Sequence, residues 1–153
     1  MNLITSASDS TLIRAARPDD IPAIARLDAK STAFPWCEQQ FSESLASHRL
    51  YVLEIDGVVS GYLVYSLVLD EAELLNIAIA PRLRRRGHGA RLLEYFIEAN
   101  RGVANRLLLE VRHSNRSAID LYNSHGFVKQ GVRKGYYPTS YGREDAWMMV
   151  YEY

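Results

Sequence analysis

Four arginines and two glycines fall within the run Ala80-Pro81-Arg82-Leu83-Arg84-Arg85-Arg86-Gly87-His88-Gly89-Ala90. The run follows a strand-like apolar stretch and precedes an amphipathic helix. A helix that starts near Gly87 leaves its first N–H groups unpaired, with the positive end of its dipole behind them, and that is where anions bind. Gly87 and Gly89 lack Cβ atoms, so the backbone can approach a pyrophosphate closely, and the arginines add charge for steering and clamping. Pro81 ends the strand because it cannot donate to a sheet ladder. The spacing fits neither a P-loop nor a three-glycine dinucleotide fingerprint. Taken alone, the run reads more readily as a basic surface turn leading into a helix, and its context has to decide.

Two further residues have types suited to proton chemistry. Glu110 interrupts the apolar run Leu107-Leu108-Leu109-Glu110-Val111, and a charge in such surroundings must be solvated, paired or protonated. Either it lies at the wet end of a strand or pairs with Arg106 or Arg112, or it is a base with a raised pKa facing a cleft. Ser114-Asn115 then caps a short helix in which Ala118, Leu121 and Tyr122 share a face and which Gly126 ends. Tyr122 is core by position, yet its hydroxyl needs a partner if buried. His48, His113 and His125 show no metal-ligand spacing and His88 lies inside the turn, so no metal is expected.

The elements that must position these groups are legible in order. Thr11 to Ala16 reads as a strand. Arg17-Pro18-Asp19-Asp20 turns into a helix from Asp19 to about Ser31, carrying Ile21, Ile24, Ala25, Leu27 and Asp28. Ala33-Phe34-Pro35-Trp36 breaks it, and a second helix, Cys37 to Ser47, places Phe41 and Leu45 on one face. Phe34 and Trp36 either line a substrate groove or plug the space between the helices. Leu50 to Ile55, Asp56-Gly57 and Val58 to Leu69 form a hairpin. After a turn at Asp70-Glu71, a third strand runs from Leu74 to Ala80. Leu92, Leu93, Phe96 and Ile97 make the stripe of a helix ending near Asn100 to Gly102. The run Leu107 to Val111 suits a strand buried on both faces, so strand, helix, strand implies a right-handed parallel crossover with the glycine turn at the first strand's carboxyl end, where ligands bind. The tail from Val132 to Tyr153 reads as a closing hairpin. Its loop, Tyr137 to Arg143, either hangs over the cleft, with Glu144 or Asp145 available to attract an ammonium group, or its aromatics merely pack the hairpin.

The chain has 153 residues, the size of one domain, here 11–153 after a loose tail over 1–10. Eighteen basic residues balance eighteen acidic ones, so no global field points to nucleic acid or a membrane surface. A single cysteine, Cys37, excludes an internal disulfide and Cys-paired zinc motifs, which reads as cytoplasmic. No apolar stretch is long enough to span a bilayer.

Arg84-x-x-Gly87-x-Gly89 after an apolar strand, then Glu110, Ser114-Asn115, Ala118, Leu121-Tyr122 and Gly126-Phe127, resembles the GNAT superfamily of acetyl-CoA-dependent N-acetyltransferases over most of the chain. Ala33-Phe34-Pro35-Trp36, Leu69-Asp70-Glu71-Ala72, Asn76-Ile77-Ala78, Tyr136-Tyr137-Pro138-Thr139 and Gly142-Arg143-Glu144-Asp145-Ala146 are similar to the branch that acetylates the N-terminal alanine of a small-subunit ribosomal protein. The resemblance implies an α/β (α+β) fold with a mixed sheet of about six to seven strands and about four helices. It implies that Ile77, Ala78 and Ile79 pair with the pantetheine arm of acetyl-CoA, that Arg84, Arg85, Arg86, Gly87, His88, Gly89 and Ala90 hold the pyrophosphate, and that Asn115 contacts the cofactor. His88 departs from the family, which mostly has an aliphatic residue there. Glu110 matches the general base and Tyr122 the proton donor to the departing thiolate, with direct transfer in a ternary complex. Phe34, Trp36, Tyr136 and Tyr137 are the expected substrate contacts. The expected partner is a ribosomal-protein N-terminus, with no nucleic acid or membrane, and the expected state is a monomer. Another protein N-terminus, a lysine, a small-molecule amine, or a non-catalytic acyl-CoA-binding role are the alternatives.

Overall fold

The computed structural model describes residues 10–153. The loose tail expected over 1–10 lies outside the described residues except for Ser10. That residue is tied to the first hairpin turn: its N–H donates to Asp56 Oδ1 (3.1 Å) and its carbonyl accepts the Asp56 N–H (2.9 Å).

Seven strands form one mixed sheet: β1 (Thr11–Ala15), β2 (Arg49–Ile55), β3 (Val58–Val68), β4 (Glu71–Ile79), β5 (Arg106–Arg112), β6 (Val128–Thr139) and β7 (Gly142–Glu152). Their order is β1-β2-β3-β4-β5-β7-β6. Among the described residues four α-helices accompany them: α1 (Ile21–Ser31), α2 (Glu38–Ser47), α3 (His88–Ala99) and α4 (Arg116–Ser124). The expected strand and helix numbers both hold. The chain divides into two compact units, one made of the described residues up to Val64 with Asn76–Leu92, the other of Tyr65–Leu75 with Leu93–Tyr153.

In the first unit, β1 runs antiparallel to β2, Thr11 opposite Ile55 and Ala15 opposite Tyr51. The turn between β2 and β3 has φ of +50° at Asp56 and +80° at Gly57. Both values suit the right-handed strand twist, which is why Asp-Gly stands there. Ile21, Ile24, Leu27 and Asp28 form the buried face of α1, at the spacing of one helical stripe. On α2 the buried residues are Phe41 and Ser44, and Leu45 is half-buried.

Asp20 precedes α1 but does not cap it through its side chain. Its carboxylate accepts the Arg17 N–H (2.7 Å) and both terminal nitrogens of Arg14 (2.8 and 2.9 Å), while Arg14 Nε reaches Glu54 Oε2 at 2.5 Å. The Arg14 hydrogen bonds hold the Asp20 carboxyl below its ordinary range against the opposing effect of burial. Folding therefore favours the charged form. That stabilisation is complete above the unfolded pKa of about 3.9 and drains away as pH falls toward the lower folded value. Asp20→Asn is expected to cost about 1–3 kcal/mol at pH 7. Thermal melts of variant and parent should converge as the pH is lowered below 4, and a constant gap would remove the ion pair as the cause.

In the second unit, β4 and β5 pair in parallel, Glu71 opposite Arg106 and Leu74 opposite Leu109. β5 and β7 are antiparallel from Arg106 opposite Glu152 to Arg112 opposite Ala146. The run Leu107 to Val111 is not buried on both faces as expected: Leu107, Leu109 and Val111 are buried, while Leu108 and Glu110 on the other face are half-exposed. Contact with water on that face is what allows Glu110 to stand in an apolar sequence. The closing hairpin is present, but the loop expected from Tyr137 to Arg143 is not. Tyr137, Pro138 and Thr139 lie in β6 and pair with Glu144, Arg143 and Gly142, leaving Ser140-Tyr141 as the turn. Proline is compatible with pairing here because β6 is the edge strand, where a missing N–H costs no ladder bond.

Candidate active site

The first unit carries the basic turn. After β4, a 3-10 turn at Pro81–Leu83 buries Leu83, and Arg84, Arg85 and Arg86 are exposed. The backbone is left-handed at Arg85 (φ +64°) and at Gly87 (φ +83°). Helix α3 begins at His88, and Arg91 N–H bonds the Gly87 carbonyl at 3.0 Å. The N–H groups of His88, Gly89 and Ala90 precede that bond and lack a carbonyl one turn earlier. A Cβ on Gly87 would meet nothing within 4 Å, so the space beside Gly87 is open. The His88 Nε2 atom is buried without a hydrogen-bond partner among the described residues. Open donors, left-handed backbone and flanking guanidinium groups fit a pyrophosphate. Ile77 and Ala78 are half-buried and Ile79 is buried. Behind them Gly61 allows close approach, since a Cβ there would stand 3.0 Å from the Ala78 carbonyl oxygen.

Phe34 and Trp36, also in the first unit, have different surroundings. Phe34 is 45% exposed. Trp36 is half-buried, its ring 5.2 Å from that of Phe41.

The second unit carries the titratable groups. Glu110 projects from the half-exposed face of β5, its side chain 19% exposed. It pairs with neither Arg106, which binds Glu71 at 2.6 Å, nor Arg112, which binds Glu144 at 3.3 Å. Its neighbour is Arg133 of β6, with Nε 2.7 Å from Oε2. Among the described residues Oε2 receives no hydrogen bond, so the contact is coulombic. Arg133 itself is half-exposed and stacks over Tyr136 at 5.0 Å, Tyr136 meets Tyr137 edge-on at 5.0 Å, and Arg112 lies over Tyr137 at 4.5 Å. The Tyr137 phenol is pushed up to about 12 by burial and then by the Glu110 charge.

Tyr122 is 6% exposed on α4. Burial, and then the charge of Tyr137, raise its phenol above the ordinary range. Both tyrosines are therefore neutral donors at pH 7. The expected contact of Asn115 with the cofactor meets a second role, since its Oδ1 accepts the Ala118 N–H at 3.3 Å and caps α4. Glu144 and Asp145, expected to be free for an ammonium group, are committed within the chain: Glu144 to Arg112 and the Ser114 N–H, Asp145 to the Gly135 N–H and Lys134.

Three residues near these groups have no counterpart in the sequence reading. Arg133 sits beside Glu110. Glu73 of β4 stands opposite Leu108, on the Glu110 face, and is raised by burial and by the Glu110 charge. The alternation Glu71-Ala72-Glu73 was the available signal, since it sets two carboxylates on one strand face. Ile119, buried with Tyr122, completes the inner face of α4.

A parallel β4–α3–β5 arrangement with a basic glycine turn before α3 and a lone carboxylate on β5 is the plan of an acetyltransferase. The model of the Acetyltransferase (GNAT) family matches residues 15–127, and the chain belongs to that family. It is 43% identical over 134 residues, 86% of this chain and 90% of the relative, to the "[Ribosomal protein bS18]-alanine N-acetyltransferase" of Escherichia coli strain K12. It is 35% identical to the protein of the same name from Haemophilus influenzae, again over 134 residues, 86% of this chain and 91% of that one. Among solved structures, the ribosomal-protein-S18-alanine N-acetyltransferase of Escherichia coli superposes with a TM-score of 0.88 at 38% identity, covering 93% of both chains. Ard1 from Thermoplasma volcanium gives 0.84 at 28% identity, covering 94% of this chain and 97% of that one.

Proposed function

We propose that this protein transfers the acetyl group of acetyl-CoA to the N-terminal alanine amine of ribosomal protein bS18, by direct attack with no acyl-enzyme. The observation that carries the chemistry is Glu110, a partly buried carboxylate whose Oε2 lacks a hydrogen bond among the described residues and lies 2.7 Å from the half-exposed Arg133 side chain. The choice of amine rests on the likeness to relatives of that name at 43% and 35% identity. With a ribosomal protein as substrate, the reaction takes place in the cytoplasm.

Acetyl-CoA, when bound, supplies the thioester carbon that the amine attacks. The donors of His88, Gly89 and Ala90 would hold its pyrophosphate, with Arg84, Arg85 and Arg86 neutralising the charge, and the Ile77–Ile79 backbone would bind its pantetheine arm. A peptide α-ammonium has a pKa of about 7.7–8.0, so most of it is protonated at neutral pH and cannot attack until a base removes the proton. Glu110 takes that proton, directly or through a water, as the incoming ammonium displaces Arg133. Tyr122 donates to the departing sulfur. Its phenol lies above its usual value and a thiol near 8.5, so complete proton transfer is uphill and Tyr122 acts first as a hydrogen-bond donor to the developing thiolate. Tyr136 and Tyr137, with Phe34 and Trp36, contact the peptide.

Release of free CoA thiol tests the reading. A peptide beginning Ala-Arg is expected to give acetyl-CoA-dependent release and the same peptide with a blocked N-terminus none. Release driven only by lysine side chains or small amines would reject the assigned substrate, and cofactor binding with no release for any amine would reject the reaction.

A further inference from the structure

Asp28 lies on the buried face of α1, 3% exposed. No ion pair reaches it among the described residues. Removing a carboxylate from water is costly, and its place in the second half of the helix adds the unfavourable end of the dipole. Its two oxygens are divided between two distant partners. Oδ1 accepts the Tyr62 hydroxyl at 2.8 Å, and Oδ2 accepts the backbone N–H of Trp36 at 2.9 Å. Tyr62 is fully buried on β3, and that burial and the Asp28 charge keep its phenol protonated and donating. A second route joins the same groups through aromatic rings: Trp36 lies 5.2 Å from Phe41, and Phe41 meets Tyr62 edge-on at 5.2 Å. The segment between α1 and α2 is therefore fixed at Trp36 by a strand and a helix together. Phe34, two residues earlier, remains 45% exposed, its N–H held by Thr32 Oγ1 at 3.2 Å.

We infer that Asp28 is a positioning residue for amine selection, clamping the Trp36 backbone to Tyr62 so that Phe34 and Trp36 are presented in one fixed arrangement to the substrate's first residues. The inference rests on the reading that these two aromatics contact the peptide. It assigns the selective step to a buried carboxylate that touches no substrate. Both oxygens must accept, which only the carboxylate can do: an asparagine keeps one acceptor and turns an NH2 group toward the second donor. A segment released at Trp36 pays an ordering cost each time the peptide binds.

The test is steady-state kinetics on the full chain with peptides beginning Ala, Ser and Met, for Asp28→Asn, Tyr62→Phe and Phe34→Ala, with thermal melts of each. Asp28→Asn is expected to raise the KM for the Ala peptide roughly tenfold and to flatten the preference among the three peptides, with kcat and the KM for acetyl-CoA unchanged. Tyr62→Phe, which leaves the Trp36 bond in place, is expected to move the same parameters in the same direction by less, and it serves as the readout if Asp28→Asn does not fold. If Phe34→Ala raises the peptide KM while both clamp variants leave it and the preference unchanged, the clamp is overturned and the substrate reading of the loop stands. If Phe34→Ala has no effect either, that reading fails and the inference with it. A loss in which both KM values and kcat worsen in step with the melting temperature reduces Asp28 to a purely structural part and also overturns it.

Discussion

Replacing Glu110 with glutamine lowers kcat/KM for an alanine-ended peptide by about 10²–10⁴-fold near pH 7, with acetyl-CoA affinity unchanged. The amide can accept a hydrogen bond but cannot take a proton, and its NH2 group faces the Arg133 Nε that now stands 2.7 Å from Oε2. The deficit should depend on pH in one direction. Below the amine pKa of about 7.7–8.0 the variant must wait for the small fraction of free amine. Above it the substrate arrives deprotonated and the gap narrows. Tyr122→Phe should cost less, about 10–100-fold, since a phenol held above the thiol is more a hydrogen-bond donor than a full acid. The experiment is a pH–rate profile from pH 6 to 9 for parent and both variants. A parallel, pH-independent loss in Glu110→Gln would show a positioning effect instead of base catalysis, and no loss would remove Glu110 from the chemistry.

Gly87→Val weakens acetyl-CoA binding by about 10–100-fold, equivalent to about 1.4–2.7 kcal/mol. Two effects combine. A β-branched residue at φ +83° is strained by about 1–3 kcal/mol, and its side chain would take up open space next to the proposed phosphate donors. Gly57 supplies the control, because it has φ +80° and equally open surroundings in a turn with no proposed ligand. Gly57→Val should lose similar stability and bind acetyl-CoA as the parent does. Calorimetric titration of both variants decides the matter, and a Gly87→Val protein with parental affinity would exclude the turn as the pyrophosphate seat.

The elements were legible wherever local chemistry determines them. Asp56-Gly57 requires positive φ at two positions and so marks a hairpin, and the Leu92, Leu93, Phe96 and Ile97 stripe admits only a helix. The turn was legible for the same reason, because its glycines and its following helix start are local features. What the sequence concealed depends on partners brought from far along the chain. Glu110 could have paired with Arg106 or Arg112 on its own strand, since all three share a face. Pairing with β4 and β7 instead gave Arg106 to Glu71 and Arg112 to Glu144, and left Glu110 to Arg133. By sequence Glu144 and Asp145 are available to an ammonium group, but the hairpin joins them to Arg112 and to the Gly135 N–H. By spacing Asp28 belongs to the apolar stripe of its helix, and the role proposed for it emerges only with Tyr62, which lies 34 residues away in sequence.

The outer strand of the sheet also bears on how the protein behaves in concentrated solution. β6 changes register against β7 between Lys129 and Gly131 and again between Arg133 and Tyr137. Lys129, Arg133 and Lys134 lie along its mostly exposed length, and Pro138 removes one donor near its end. An open edge of regular backbone is a template on which a second chain can add a strand. Interrupted pairing, like charges and a proline make this edge a poor one. The opposite border, β1, is five residues long, so it offers a partner strand fewer backbone groups than the twelve-residue β6 would if it were regular. The β6 border is thus kept from growing by the same irregular strand that carries Arg133, Tyr136 and Tyr137, so straightening β6 to tune the proposed site would invite aggregation.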